Sequence, residues 1–126
     1  MPDLDPGRHT VRRALVRDDV ELAYAHARPA RGGGVPLLLV HGWPETMRIW
    51  WRNIDALARA GFEVIAPDLR GFGASSLAGD GAYDLAAHAH DLHTLVHDVL
   101  GHERCVASGG DIGGGGPVAP RGRRPP

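Results

Sequence analysis

The chain has 126 residues, a formal net charge of −1 and a hydrophobic fraction of 43%. This length allows one domain with a modest core, and the small charge gives no electrostatic basis for binding nucleic acid or an anionic membrane. The first residues carry acids and no apolar run, and no segment has the length required to cross a bilayer. A single cysteine excludes an internal disulfide, so we expect a soluble, cytoplasmic protein.

Hydrophobic patterning predicts the element order β-β-β-α-β-α-β, with a sheet that is parallel after its first hairpin. Residues 10–16 and 20–25 alternate apolar and polar side chains around a turn, which predicts a hairpin of two half-exposed strands. The continuous apolar run at 35–40 is typical of a central parallel strand covered on both faces. The other predicted elements are a helix that opens at Glu45 or Thr46, a strand at 62–66, a helix at 84–100 and a buried strand at 104–108.

The predicted helix 84–100 carries one apolar stripe and several histidines. His90, His93 and His97 flank one side of this stripe, and the spacing of His93 and His97 is one that metal ligands use on helices. No acidic residue follows at the position of a third ligand in a known metal-binding motif. We therefore interpret the histidines as a solvent-exposed side of the helix, and we expect neither a metal ion nor a cofactor. Cys105 is expected in the core. The predicted stripe consists of Leu85, Ala89, Leu92, Val96 and Val99.

The segment His41-Gly42-Trp43-Pro44 directly follows the predicted central strand. Ligand sites of open α/β sheets lie beyond the carboxyl ends of their strands, so this position suits chemistry. Gly42 permits a close backbone turn and Pro44 fixes it, which leaves the N–H of Trp43 free to point outward. The combination favours an oxyanion loop over a plain strand-to-helix turn, and His41 is expected to brace that loop rather than act as a base.

The spacing Gly109-x-Asp111-x-Gly113 is that of a nucleophile elbow, a sharp strand-to-helix turn that needs glycines because larger side chains would collide. Its apex is Asp111 instead of the commoner serine. A carboxylate requires no base to act as a nucleophile at neutral pH, which indicates attack on saturated carbon rather than acyl transfer. The alternative is a glycine-rich turn whose aspartate only bonds the local backbone.

A third motif, Asp68-x-Arg70-Gly71-x-Gly73-x-Ser75, lies between the other two and is interpreted as a braced structural loop. With the three motifs in this order, the chain resembles the α/β-hydrolase superfamily, and within it the epoxide hydrolase and haloalkane dehalogenase branch. The resemblance implies an α/β fold: the amino-terminal portion of an α/β-hydrolase fold, truncated after the elbow. The implied division is a flexible lead-in at 1–9, a partial hydrolase domain at 10–114 and a disordered Gly/Pro/Arg-rich tail at 115–126.

The resemblance further implies an epoxide hydrolase-like enzyme that acts on a small apolar organic substrate. Asp111 would attack an epoxide carbon and form an alkyl-enzyme ester, and the backbone N–H groups of Trp43 and Ile112 would form the oxyanion hole. Dehalogenases use the indole N–H of a tryptophan after the nucleophile, and Ile112 has no side-chain donor, which weakens the dehalogenase alternative. The supporting residues would be His41, Gly42, Pro44, Gly109 and Gly113.

The resemblance also implies that the catalytic histidine, its acid partner and the cap residues are not in this chain, in which fifteen residues follow Asp111. We therefore expect the chain to be inactive by itself, and we interpret its end as a frameshift within the codons for Gly113 to Pro120. The alternative from another functional class is a small α/β module that binds a ligand or partner without catalysis. A cooperatively folding, soluble monomer would favour that alternative.

Overall fold

The computed structural model describes residues 10–17, 19–42, 45–78, 81 and 83–109. These residues form strands and helices in the predicted order β-β-β-α-β-α-β. The elements are strands β1 (Val11–Arg17), β2 (Val20–Ala27), β3 (Val35–Val40), β4 (Phe62–Pro67) and β5 (Val106–Gly109); helices α1 (Trp51–Arg59) and α2 (Leu85–His93); a 3₁₀ turn (Met47–Trp50) before α1; and a π turn (Thr94–Val99) after α2.

One mixed sheet contains the five strands in the order β1-β2-β4-β3-β5. β1 pairs with β2, and β2 with β4, in antiparallel fashion, while β3 pairs with both β4 and β5 in parallel. The prediction of a leading hairpin followed by parallel strands is therefore confirmed. Because β3, β4 and β5 run in the same direction, the segments that follow them leave the sheet at one edge, which we call the carboxyl edge.

Two apolar layers cover the sheet, one on each face. On the first face, α2 and the π turn contribute Leu92 and Leu95 to a cluster with Leu22 and Ile65. On the second face, α1 places Trp51 and Ile54 against small and branched residues of β2, β3 and β4. Burial of large apolar side chains at about 1.5–3 kcal/mol each is the main stabilising contribution of these layers. The sheet is thus the middle of three layers in the described residues.

Two strands differ from the predicted burial. β2 was expected to be half exposed, but six of its eight residues are buried. It lies between β1 and β4, and its two faces contact the two apolar layers. β5 was expected to be buried, but all four residues are exposed because it pairs only with β3 among the described strands. Cys105 precedes β5, is partly buried and packs against the first apolar cluster.

The predicted helix 84–100 consists of α2 and the π turn, and its buried face is rotated relative to the predicted stripe. Leu85 and Val99 are 49% and 42% exposed, so their assignment to the stripe was wrong. His88 and Asp91 are buried instead, together with Leu95. Asp91 faces the interior because it forms an ion pair there. The wider π turn then changes which of the following residues face the sheet.

A buried polar cluster lies near the amino ends of the parallel strands, and we call it the amino-edge cluster. Glu63, the second residue of β4, receives hydrogen bonds from His26 Nε2 at 2.7 Å and His102 Nε2 at 3.1 Å on the same carboxylate oxygen. The guanidinium Nε of Arg28 lies 3.8 Å from that oxygen. The cluster joins β2 and β4 to the segment between the π turn and β5.

The predicted lead-in 1–9 and tail 115–126 lie outside the described residues, so the domain boundaries stay predictions. Among the helices that the structure describes, none combines the length and the apolar character needed to pass through a bilayer.

Candidate active site

The parallel pair of β3 and β5 brings two of the predicted motifs to neighbouring positions. Val40, the last residue of β3, lies opposite Gly109, the last residue of β5. The chain continues from Val40 into His41 and Gly42, and from Gly109 into the predicted elbow. Since both strands run in the same direction, His41 and Gly109, the first residues of the two motifs, lie at the same edge of the sheet.

His41 is buried and both of its ring nitrogens have backbone partners. Nε2 accepts a hydrogen bond from the N–H of Leu69 at 3.0 Å, so Nδ1 carries the proton that it donates to the carbonyl oxygen of Gly42 at 2.9 Å. The ring of Phe72 packs edge-on against His41, with the ring centroids 5.2 Å apart. His41 therefore joins the loop after β3 to the end of β4, and it has no free nitrogen to take a proton from water.

The turn after His41 is closed by two reciprocal hydrogen bonds. Glu45 accepts the N–H of Gly42 on its carboxylate at 2.7 Å, and its own N–H donates to the carbonyl of Gly42 at 2.8 Å. This arrangement occupies the N–H of Gly42, so that group is not available to a ligand. Trp43 and Pro44, between these two residues, lie outside the described residues. The role of Glu45 was not predicted, although an acid three residues after Gly42 was a usable signal.

Asp68 connects the loop after β3 to the loop after β4. One carboxylate oxygen accepts the N–H of Met47 at 2.7 Å, and the other accepts the N–H of Ala74 at 2.8 Å. Its backbone carbonyl also accepts the Ser75 hydroxyl at 2.6 Å. Gly73 lies against the carboxylate with a φ of +51°, and a Cβ there would collide with the Asp68 oxygens. The glycine is required by both its backbone conformation and this close approach.

Arg70 and Asp91 form a buried ion pair between the same loop and α2. Nε of Arg70 lies 2.6 Å from one carboxylate oxygen and Nη2 lies 2.7 Å from the other, with both side chains 1% exposed. Such a two-pronged arginine–carboxylate pair fixes orientation as well as distance. Arg70 was predicted to brace its own loop and Asp91 was not predicted as its partner, because a polar residue within a helix gives no sign of a partner 21 positions away.

His88 lies next to this pair on α2 and was also not predicted to be buried. It is 1% exposed, and its Nδ1 has no hydrogen-bond partner among the described residues. Its ring centroid lies 6.4 Å from that of Phe72. Burial lowers the pKa of His88, the positive charge of Arg70 lowers it further, and the negative charge of Asp91 opposes both. His88 is thus favoured as a neutral imidazole inside the fold.

Asp111, Ile112 and Gly113 lie outside the described residues, and their roles stay predictions. In the part of the chain that the structure describes, no group of three or more His, Cys, Asp or Glu side chains is arranged to hold a metal ion.

The described fold defines a class of protein: an α/β protein whose ligand site is expected beyond the carboxyl edge of its parallel strands. A family model described as the alpha/beta hydrolase fold matches residues 35–116, and the chain belongs to this family.

Several relatives carry epoxide hydrolase names. The soluble epoxide hydrolase of Corynebacterium sp. is 45% identical over 83 residues, which are 66% of this chain and 28% of that protein. Epoxide hydrolase A of Mycobacterium tuberculosis is 45% identical over 87 residues, 64% of this chain and 25% of its own length. The crystal structure of epoxide hydrolase A from Mycobacterium thermoresistibile matches 89% of this chain and 34% of its own with a TM-score of 0.77 and 32% identity.

The chain thus spans about a quarter of the length of these curated relatives and about a third of the matched structure. Other relatives carry different names. The putative non-heme chloroperoxidase of Synechocystis sp. is 46% identical over 65 residues, which are 52% of this chain and 23% of that protein. The non-heme chloroperoxidase CPO-A1 of Kitasatospora aureofaciens is 39% identical over 83 residues, 66% of this chain and 28% of that protein.

Proposed function

We propose that this chain carries the nucleophile and the oxyanion loop of an epoxide hydrolase-like enzyme, with Asp111 as the nucleophile. The observation that carries the proposal is the parallel pairing of Val40 with Gly109, because it puts the start of the elbow beside the loop that begins at His41. The epoxide hydrolase names of several relatives support the same assignment.

The proposed reaction has two steps. A carboxylate oxygen of Asp111 attacks one carbon of the epoxide, the ring C–O bond breaks, and the released oxygen takes a proton from an acid outside the described residues. Water then attacks the carbonyl carbon of the ester, which releases the diol and leaves one oxygen of that water in the aspartate. The backbone N–H groups of Trp43 and Ile112 would stabilise the oxyanion of this second step.

The contacts of His41 support a positioning role in this reaction. Both ring nitrogens are bound to the backbone, so His41 is excluded as the base that activates water. Another residue would therefore act as the base, and we expect this chain by itself to form at most one equivalent of ester. The substrate is a small apolar epoxide, and substrate turnover is proposed only for a protein that supplies the missing groups.

The test uses a protein in which this chain is continued by the corresponding remainder of the Corynebacterium relative. In a single turnover in ¹⁸O water, mass spectrometry should find the label in the Asp111 carboxylate. Asp111→Asn should lower turnover at least about a thousandfold, because an amide is a poor nucleophile. Label found only in the diol would contradict the covalent mechanism.

The 126-residue chain offers a second arm of the same test. Incubation with a reactive epoxide should add one equivalent of the epoxide mass to the peptide that contains Asp111, and the Asp111→Asn chain should gain none. Sustained turnover by the chain alone would contradict the proposed division of roles.

A second candidate follows from the relatives named as chloroperoxidases. The acid at the elbow apex favours the epoxide hydrolase proposal over it. Peroxide-dependent halogenation by the completed protein, without epoxide opening, would reverse this preference. A soluble chain that melts cooperatively, binds a ligand and shows no chemistry in either assay would instead support the non-catalytic module.

A further inference from the structure

Both backbone groups of Gly42 are held by hydrogen bonds. Its N–H donates to Oε1 of Glu45 at 2.7 Å. Its carbonyl oxygen accepts Nδ1–H of His41 at 2.9 Å and the N–H of Glu45 at 2.8 Å. Glycine has the widest choice of backbone conformations of any residue, so its own sterics do not set the direction of its peptide groups. The hydrogen bonds to the two neighbours therefore decide how Gly42 is oriented.

The direction of the Gly42 carbonyl also determines the direction of the N–H that follows it. A peptide unit is planar and almost always trans, so the N–H points away from the carbonyl oxygen of the same unit. The residue after Gly42 is Trp43, whose N–H is one of the two proposed oxyanion donors. The bonds that hold the carbonyl would thus also hold this donor. A donor that is oriented in advance is effective because nothing has to turn when the charge develops.

We propose that Glu45 is a positioning residue, which holds Gly42 so that the following N–H is directed at the oxyanion formed during ester hydrolysis. The inference rests on the proposed function and adds a residue that does not itself touch the substrate. In the first step the Asp111 carboxylate loses its negative charge, and in the second step charge returns to its carbonyl oxygen. Only the second step therefore gains from a correctly directed donor.

Glu45 is suited to orient the turn without contributing much to the stability of the fold. Its side chain is exposed, so water competes for its carboxylate. Its backbone is nevertheless restrained, because Met47, two residues further on, donates its N–H to the buried carboxylate of Asp68 at 2.7 Å. Removal of the Glu45 carboxylate should therefore change the behaviour of Gly42 more than it changes the unfolding of the chain.

The first experiment measures hydrogen exchange of backbone amides by NMR in the 126-residue chain. Glu45→Ala removes the carboxylate and keeps the backbone N–H of residue 45, so the Gly42 amide should exchange at least about tenfold faster. The Leu69 amide, which binds His41, should keep its rate within about twofold and so report an intact fold. Glu45→Gln retains an acceptor oxygen and should preserve the protection of Gly42. Unchanged Gly42 exchange in Glu45→Ala would overturn the inference.

The second experiment uses the completed protein of the isotope test. Rapid quenching and mass spectrometry of the peptide that contains Asp111 give separate rates for ester formation and ester hydrolysis in a single turnover. Glu45→Ala should slow hydrolysis at least about tenfold and leave ester formation within about threefold, so that the ester accumulates. Glu45→Gln should restore hydrolysis to within about threefold of the wild-type rate. A general structural defect would instead lower both rates together.

The matched control is Glu103→Ala, which removes another exposed acid, near the amino-edge cluster, and changes the net charge equally. Both rates should stay within about twofold of the wild-type values. An ester that forms in the wild-type protein and is hydrolysed equally fast in Glu45→Ala would overturn this inference and leave Asp111 as the nucleophile. Absence of any ester on Asp111 in the wild-type protein would overturn the proposed function and this inference with it.

Discussion

The two buried ionic groups at opposite ends of the sheet are built from different chemistry. At the carboxyl edge, Arg70 and Asp91 are matched in a two-pronged pair and are both 1% exposed. At the amino edge, Glu63 binds two histidines, and one of them, His102, is 23% exposed. Arginine stays charged throughout the accessible pH range, whereas the carboxylate of Glu63 loses its charge in acid. The second group is therefore expected to weaken as the pH falls.

The largest expected effect comes from breaking the carboxyl-edge pair. Asp91→Ala should lower the free energy of unfolding by about 3–5 kcal/mol, because it leaves the Arg70 guanidinium buried without its carboxylate. Urea denaturation of both proteins gives this difference. Replacing both residues, as Arg70→Met with Asp91→Leu, should recover much of the loss, and a double variant as unstable as Asp91→Ala would contradict the desolvation argument.

The amino-edge cluster should give a smaller effect that depends on pH. Burial raises the pKa of Glu63, but hydrogen bonds from His26 and His102 and the charges of both rings outweigh it, so the pKa lies below the ordinary value of 4.5. The stabilisation is thus present above the unfolded-state pKa and is lost as the pH falls toward the folded-state pKa. Glu63→Gln should cost about 2 kcal/mol at pH 7, in the range for hydrogen bonds to charged groups.

Urea titrations at a series of pH values from 7 to 3 would measure the free energy of unfolding of the wild-type and Glu63→Gln proteins. Their stabilities should approach each other in the acid range. A difference that stays constant over that range would mean that the charge on Glu63 does not contribute.

His88, which lies beside the carboxyl-edge pair, should make the stability of the protein depend on pH. Burial lowers its pKa, so the unfolded chain takes up a proton below about pH 6.5 while the folded chain does not. Stability should therefore fall with decreasing pH in that window, by up to about 1.4 kcal/mol per pH unit. His88→Leu should reduce this slope and leave stability at pH 7.5 within about 1 kcal/mol of the wild-type value, because Nδ1 loses no partner. An unchanged slope in His88→Leu, with His90→Leu as the exposed control, would contradict this.

The smallest effect is expected from an exposed pair on the hairpin. Arg13 lies 3.3 Å from Glu21, with side chains 52% and 45% exposed. Glu21→Gln should change the free energy of unfolding by no more than about 0.5 kcal/mol, because solvent screens exposed pairs. A loss above about 1.5 kcal/mol in thermal or urea unfolding would show that exposure alone does not distinguish this pair from the buried ones.

The sequence was sufficient to predict the element order and the two loops at the carboxyl edge. A continuous apolar run such as residues 35–40 predicts a central strand that is covered on both faces, and glycines in turns indicate where strands end. The pairing of Arg70 with Asp91 could not be predicted, because helical periodicity identifies polar residues as exposed unless a distant partner is known. The burial of β2 was missed for a similar reason, since alternating alanines do not reveal that a helix covers them.

The elbow itself illustrates a different limit. The glycines around Asp111 predict a sharp turn from local sterics alone, while the described geometry extends to Gly109. Its catalytic assignment therefore depends on the motif, on the neighbouring position of Val40 and on the relatives, and the isotope experiment tests it directly.

The bonds that join the loops after β3 and β4 also determine how this edge moves. Leu69 donates to His41, Met47 donates to Asp68, and Asp68 also receives the N–H of Ala74. Neither loop can open without breaking bonds to the other, so the amides of Met47, Leu69 and Ala74 should exchange with solvent in one shared opening event. The loop after β3 is therefore expected to open together with the loop after β4, as one cooperative unit.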